Sequence, residues 1–328
     1  MRSTILTTCR HVIVFARCKI IYIIMATLEA SETGSLDVFI VDAFTAKRFA
    51  GNPAAVCLLE KDIPDIERQK IASEMNLSET AYIQKISSNG DSFKESSWFN
   101  LRWFTPTNEV VLCGHATLAS AAVLFHCKGN VNTTLHFKTL SGTLLARKED
   151  QGIVLDLPLY ATVVQDEKEV LSVVKATVGS LLVSEIHYNP DMKKLLVRLD
   201  NTVTRNDLES MKRPDSNSLL NIEDGSHVRG VMVTLRGTKQ GGCVDDEGEV
   251  YDFISRYFAP WAGISEDPVT GSAHAVLAGY WSNVLEKKQL YARQCSPRGG
   301  DLRIVVRDDN RVDICGQAVI VMKAQLTL

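Results

Sequence analysis

The sequence predicts an α+β protein assembled from two similar halves, and three observations carry that reading. The first is an internal repeat. Arg256-Tyr-Phe-Ala-Pro260 echoes Arg102-Trp-Phe-Thr-Pro106 at an offset of 154, and Gly271-Ser-Ala-His-Ala-Val-Leu-Ala278 echoes Gly114-His-Ala-Thr-Leu-Ala-Ser-Ala121 at an offset of 157. The second is the succession of short strand-like runs broken by only a few helical ones. The third is size: 328 residues, 45% hydrophobic and 23% charged, are enough chain for two domains with real cores.

The folded body is expected to begin at Asp37. Residues 38–41 read as a strand, 42–52 as a loop and 53–59 as a second strand. Pro64 opens a helix with Ile71, Ala72 and Met75 on one face, and Asn76 is suited to close it. A strand follows with Glu79 at its mouth. Its apolar neighbours Leu77, Ala81, Tyr82 and Ile83 would desolvate the carboxylate, and desolvation favours the protonated form of a group that must carry a proton. The bland alternative is a loop acid facing solvent. Residues 100–105 lead as a strand into the first repeat copy, where Pro106 and Asn108 turn the chain toward a helix of small residues after Gly114. Residues 134–140 and 143–147 form a hairpin about Ser141 and Gly142. Residues 153–157 are a further strand, and the first domain, 37–157, ends there.

The second domain, 158–318, repeats this grammar. Val170, Val173, Val174 and Thr177 share one face of a helix closed by Gly179, and residues 195–199 and 228–235 are strands. Val250, Phe253, Ile254, Tyr257 and Phe258 recur at i, i+3, i+4, i+7 and i+8, which predicts a core-facing helix. The second repeat copy follows Pro260, and strands before and after a turn at 308–310 finish the chain.

In each copy a glycine precedes a run of small and apolar residues, the pattern of a helix starting at a tight bend. A helix start presents unpaired amides and the positive end of its dipole, so two such starts are two anion sites, and a pseudo-twofold would turn both toward one cleft. Burial for close packing is the alternative.

Composition also excludes. A net charge of -3 and a pI near 6.2 leave no electrostatic footprint for nucleic acid. The eight cysteines contain no Cys-x-x-Cys pair, and the seven histidines show no ligand spacing. A reducing, cytoplasmic setting and no metal are therefore expected. In residues 1–35 the apolar runs are interrupted by Arg17 and Lys19, leaving no membrane span and no cleavage site. A weak targeting segment is one reading of this stretch; an upstream extension with Met25 as a usable start is preferred, and 1–36 are set apart from the fold.

The chain resembles the phenazine biosynthesis-like, or PhzF, family. The resemblance rests on Asp42-Ala-Phe-Thr45, Gly51-Asn-Pro53, Asn76-Leu-Ser-Glu-Thr80, Arg102-Trp-Phe-Thr-Pro106, Cys113-Gly-His-Ala-Thr117 and Glu266-Asp-Pro-Val-Thr-Gly-Ser-Ala273. It spans residues 37–328 and implies the diaminopimelate epimerase-like fold: two pseudosymmetric domains, each a curved mixed sheet around a central helix, with the active site between them. It also implies that the final strand, about 319–328, crosses back to the first domain.

By the same resemblance Glu79 is the proton-shuttling acid and base, His115 and Asp267 are its polar catalytic partners, and Gly114, Gly271, Ser272 and Ala273 bind a small carboxylate substrate. No cofactor is implied. Asp267 is expected to stay ionised in a wetter niche than Glu79, so that two carboxylates divide the roles. Epimerases of this fold use two cysteines, one before each repeat glycine. Here Cys113 fills the first position but Thr270 the second, and a threonine hydroxyl is no base near neutral pH, so Cys113 is read as packing. His115 reads either as a helix cap or as a site residue, and its echo at Ser272 favours the site. His274 is read as structural, and Arg298 either reaches a substrate carboxylate or lies in solvent. A second reading keeps fold and cleft but acts by binding a WD-repeat protein. A homodimer is the default assembly.

Overall fold

The computed structural model describes residues 34–86 and 92–328; the readings made on 1–33, including Met25, lie outside them. The first half comprises β1 (Ser35–Ala43), β2 (Asn52–Leu59), α1 (Asp65–Met75), β3 (Glu79–Lys85), β4 (Trp98–Phe104), β5 (Glu109–Val110) and α2 (Gly114–Ala122), followed by β6 (Thr134–Thr139), β7 (Gly142–Glu149) and β8 (Gly152–Pro158). Then come β9 (Val163–Val164), α3 (Glu167–Val178), β10 (Val183–Asn189), β11 (Lys194–Leu199), α4 (Arg205–Ser210), α5 (Ser216–Ile222), β12 (Gly230–Arg236) and β13 (Phe253–Phe258). The chain closes with α6 (Gly271–Leu285), β14 (Gln289–Gln294), β15 (Gly300–Val306), β16 (Arg311–Gly316) and β17 (Ala318–Thr327). Asn76 ends α1 in the left-handed region at φ 48°, and Gly179 caps α3.

Strand pairing repeats with the sequence. From β1 through β2, β3, β4, β6, β7 and β8, successive pairs are antiparallel, parallel, antiparallel, parallel, antiparallel and antiparallel. From β10 through β11, β12, β13, β14, β15 and β16 the order is the same. The halves are sewn together where β17 pairs with β1 and β8 pairs with β16, and β9 pairs with β10 at the start of the second half.

A bidentate ion pair recurs as well. Arg102 binds Glu109 through Nε and Nη2 at 2.6 and 2.7 Å, and Arg256 binds Glu266 the same way at 2.7 and 2.8 Å. In each half the pair braces the chain between the Pro-containing strand end and the glycine that starts the central helix.

Those helices, α2 and α6, are enclosed. α2 packs on β1, β2, β3 and β8, α6 on β8, β14, β15 and β16, and the two touch each other. A helix hydrophobic all round is the kind a core can surround, and alanines at 116, 119, 121, 122, 273, 275 and 278 keep it slim enough to fit. One apolar cluster accordingly contains both helices, while a second lies between α3 and the strands of the second half.

The core-facing helix expected over residues 250–258 is instead the strand β13, with all six residues buried. A strand covered on both faces is apolar throughout, so any periodicity can be found in it. The repeat pointed the right way, because Arg256-Tyr-Phe is the echo of residues that were themselves read as strand.

Candidate active site

α1 stops at Asn76, and Glu79 is the first residue of β3, in parallel register with Ala54 of β2. That register turns its carboxylate under the first turn of α2. There Glu79 Oε2 lies 3.1 Å from His115 Nε2, and Cys113 Sγ meets the opposite ring nitrogen, Nδ1, at 3.5 Å. Glu79 is 7% exposed, His115 5%, Cys113 7% and Asp267 5%. The acid facing solvent is thus ruled out for Glu79, and the simple cap for His115.

The two helix starts abut. A Cβ built on Gly114 would sit 3.6 Å from the Cα of Gly271, and one built on Gly271 3.7 Å from the Cα of Gly114. Both are ordinary van der Waals separations, so the two helix starts are in direct backbone contact. The amides of Gly271, Ser272 and Ala273 form the first turn of α6, which has no intrahelical acceptors, and the first turn of α2 lies beside them.

Asp267 approaches from the second half. Its amide donates to the Tyr257 carbonyl at 3.0 Å. Asn52 Nδ2 donates to its Oδ1 at 2.8 Å and to the Val269 carbonyl at 2.9 Å, and Thr270 Oγ1 donates to its Oδ2. Gln294 steadies the loop from behind, donating to the Asp267 carbonyl at 2.6 Å and accepting from the Thr270 amide at 2.9 Å.

The wetter niche expected for Asp267 is corrected by this burial. Desolvation pushes its carboxyl above the usual range, against the pull of His115 and of the Thr270 and Asn52 hydrogen bonds, with Glu79 adding to the rise. The two acids differ in hydrogen bonding rather than in wetness: Asp267 is held on both oxygens, whereas Glu79 Oε2 and His115 Nε2 have no hydrogen bond of good geometry.

Burial opposes a charged His115, but Cys113 and Glu79 outweigh it and hold the imidazole well above its ordinary 6.5. Burial also raises the Cys113 thiol, with Glu79 adding to the rise and His115 opposing it. Glu79, Cys113 and His115 offer three donor atoms within 4.8 Å of one another. The sulfur and the carboxylate engage opposite ring nitrogens, the arrangement of a relay rather than of ligands turned on one ion. His274 is driven to about 4 by burial, and its Nδ1 lies 2.8 Å from the Thr270 carbonyl.

Arg298 neither reaches the site nor lies loose in solvent. It crosses to the first half, donating to Asp42 Oδ1 at 2.7 Å and to the carbonyls of Gly51 and Ala50 at 2.8 and 2.9 Å. It clamps the loop that delivers Asn52 to Asp267. Beside that loop a cleft of about 550 Å³ is lined by Thr45, Lys47, Arg293, Arg298 and Arg303, and it contains none of Glu79, His115 and Asp267. Phe44, at φ 62°, stands between cleft and site, with its ring against Gly271.

Four residues at the site were not foreseen in these roles. Asn52 sits in the quoted Gly51-Asn-Pro53 motif, and Thr270 is the aligned counterpart of Cys113, so both had a signal. Lys194, whose Nζ donates to Ser272 Oγ at 2.8 Å, had only the oddity of a charge opening an apolar strand. Gln294 had none.

Two buried carboxylates and a histidine, set where two glycine-led helix starts meet between matching α+β halves, define an epimerase-like protein with an enclosed polar site. The chain belongs to the phenazine biosynthesis-like protein family, PhzC-PhzF, whose profile matches residues 41–324. A bovine (Bos taurus) phenazine biosynthesis-like domain-containing protein is 56% identical over 292 residues, 89% of this chain and 99% of the relative. A Pseudomonas aeruginosa protein named as an uncharacterized isomerase is 40% identical over 290 residues, 88% of this chain and 97% of its own. The crystal structure of a PhzF-family protein of Enterococcus faecalis superposes with a TM-score of 0.74 at 37% identity, covering 90% of this chain and all of that one. The fold is the diaminopimelate epimerase-like one.

Proposed function

We propose that the protein is a cofactor-independent isomerase that moves a proton between carbons of a small carboxylate. Glu79 removes a proton from an activated carbon, and the electron pair passes into the conjugated system. Glu79, now protonated, returns the proton to another carbon of that system. His115, 3.1 Å from Glu79 Oε2, stabilises the carboxylate before the first transfer and after the second. Asp267, fixed by Asn52 and Thr270, polarises the far side of the substrate. The substrate carboxylate lies on the amides of Gly271, Ser272 and Ala273, with the start of α2 beside it.

The observation that carries this reading is Glu79 Oε2: a buried carboxylate oxygen with no hydrogen bond of good geometry, 3.1 Å from His115 Nε2 at the first turn of α2. A buried acceptor in that state awaits a partner, and a carbon-bound proton supplies one without competing for a fixed hydrogen bond. The isomerase name of the Pseudomonas relative supports the reaction class.

The test is proton NMR in deuterated water on a panel of small unsaturated and 3-hydroxy carboxylates, following double-bond migration and deuterium uptake together. Turnover with at least one member supports the reading. A protein inert toward the panel and toward metabolite extracts would instead support action through a WD-repeat partner. The cytoplasmic setting and the homodimer belong to the same proposal, checked by fractionation and by light scattering.

A further inference from the structure

The proton shuttle leaves one buried charge without a task. Lys194 opens β11, and strand alternation sets Lys194, Leu196 and Arg198 on one face while Leu195, Val197 and Leu199 pack into the second cluster. That first face is turned toward α6: Arg198 stacks on Trp281, and Lys194 reaches the helix start.

Lys194 is 4% exposed. Its Nζ lies 5.0 Å from the centroid of the Tyr257 ring, and among the described residues Ser272 Oγ is its one hydrogen-bond acceptor. An ammonium has three donors, so two remain unmatched. No carboxylate among the described residues comes within ion-pair distance, and Asp267, the acid that acts on it, is already bound by Asn52 and Thr270.

The lysine also stands at the amide end of a 15-residue helix, where the dipole is positive. Two positive features buried together are costly when the one acid that acts on the lysine is out of ion-pair reach and hydrogen-bonded elsewhere. The arrangement becomes favourable when an anion enters. The hydrogen-bond direction prepares for it: because Ser272 Oγ accepts from Lys194, its own O–H is left to donate to the newcomer.

We propose that Lys194 is the anion-recognition residue of this site, seating an ionised substrate carboxylate with Ser272 and the first-turn amides of α6 and rejecting its uncharged isosteres. The inference rests on the isomerase reading only in taking this enclosed site as the substrate site. Three titratable groups face the ammonium: Tyr257 from β13, Asp267 from the loop before α6, and His274 from α6. Burial pushes the Tyr257 phenol up and His274 down to about 4, so both are neutral around neutrality. Burial, opposed by Asp267, lowers Lys194 to about 7. Anion binding just above neutrality should therefore draw a proton onto Lys194, and loss of that uptake in Lys194→Met separates it from Asp267, which burial also raises.

The experiment uses the full chain and two probes of one shape, crotonate and crotonamide, titrated calorimetrically on either side of neutrality in buffers of different ionisation enthalpy. Wild type is expected to prefer crotonate by about 10- to 100-fold, the worth of a hydrogen bond to a charged group. It should take up a proton on binding crotonate above neutrality and lose affinity as pH rises through about 7. Lys194→Met should abolish the preference and the proton uptake while melting no lower than wild type, because an uncompensated buried charge has gone. Lys194→Arg should keep the preference.

A Lys194→Met protein that still prefers crotonate overturns the proposal, as does a wild type that binds neither probe or takes up no proton. If Lys194→Met does not fold, the wild-type proton uptake and the Lys194→Arg titration decide. Failure here is separable from failure of the isomerase reading. Lys194-dependent anion preference without proton transfer in the NMR assay sinks only the shuttle, whereas proton transfer with Lys194-independent binding sinks only this inference.

Discussion

Glu79→Gln is the substitution on which the chemical reading turns, because it keeps shape and volume while removing the ability to change ionisation. General acid or base catalysis contributes roughly 10²- to 10⁴-fold. Here one residue performs both transfers, so the loss is expected at or beyond the upper end, about 5.5 kcal/mol of barrier at 10⁴-fold. Affinity for the carboxylate substrate should change far less, since the α6 amides, Ser272 and Lys194 are untouched.

A second effect follows from the 3.1 Å contact with His115. In wild type the imidazole is held above 6.5 against its own burial by Cys113 and Glu79. Glutamine removes one of those two supports, so the His115 titration should move toward acid. The sign for stability is then defined. A histidine raised in the folded state stabilises fully below its unfolded value of 6.5 and loses that contribution as pH rises through the raised value. The melting-temperature gap between wild type and Glu79→Gln should therefore be widest in acid and close toward alkaline pH. The measurements are isomerisation by NMR, substrate dissociation constants, and His115 shifts against pH. Undiminished isomerisation by Glu79→Gln would falsify the shuttle, and an unmoved His115 titration would refute the electrostatic coupling.

Three further outcomes are expected. Cys113→Ala should leave turnover within a few-fold, because burial raises the thiol and its contact with His115 is a long one at 3.5 Å; a loss of orders of magnitude in the same NMR assay would revive a thiol base. A crystal grown from sulfate should show the anion on the amides of Gly271, Ser272 and Ala273, and an empty, ordered helix start at high sulfate would argue against the anion site. Glu266→Ala should cost about 3–5 kcal/mol by urea unfolding, because it strands the buried Arg256. Glu109→Ala should cost nearer 1 kcal/mol, since the half-buried Arg102 keeps Asp65 at 2.6 Å; equal costs would refute the distinction.

Local chemistry made much of the fold legible. Asn76 closes α1 in the left-handed region it tolerates, Gly179 caps α3, and Ser141-Gly142 sits at the β6–β7 turn. These features are decided within a few residues, so a linear reading reaches them. The strands β10 and β14 were not anticipated, for their runs mix polar and apolar residues too evenly to stand out. Tyr257 and its neighbours were misassigned because β13 is covered on both faces and lost the alternation that marks a strand.

The sequence by itself determined that the protein is built twice, that each copy ends in a glycine-led helix, and that Glu79 and His115 belong to the motifs carrying the family resemblance. Repetition and backbone permissiveness are written residue by residue. Only the tertiary structure decided that Gly114 and Gly271 touch, that Asn52 crosses the halves to Asp267, that Asp267 is as dry as Glu79, and that Lys194 is buried without a counterion. Each of these depends on which faces the crossing pairs β1–β17 and β8–β16 bring together. Burial and charge compensation are properties of an environment assembled from residues as far apart as the 215 positions between Asn52 and Asp267 and the 256 between Asp42 and Arg298, and no local pattern encodes them.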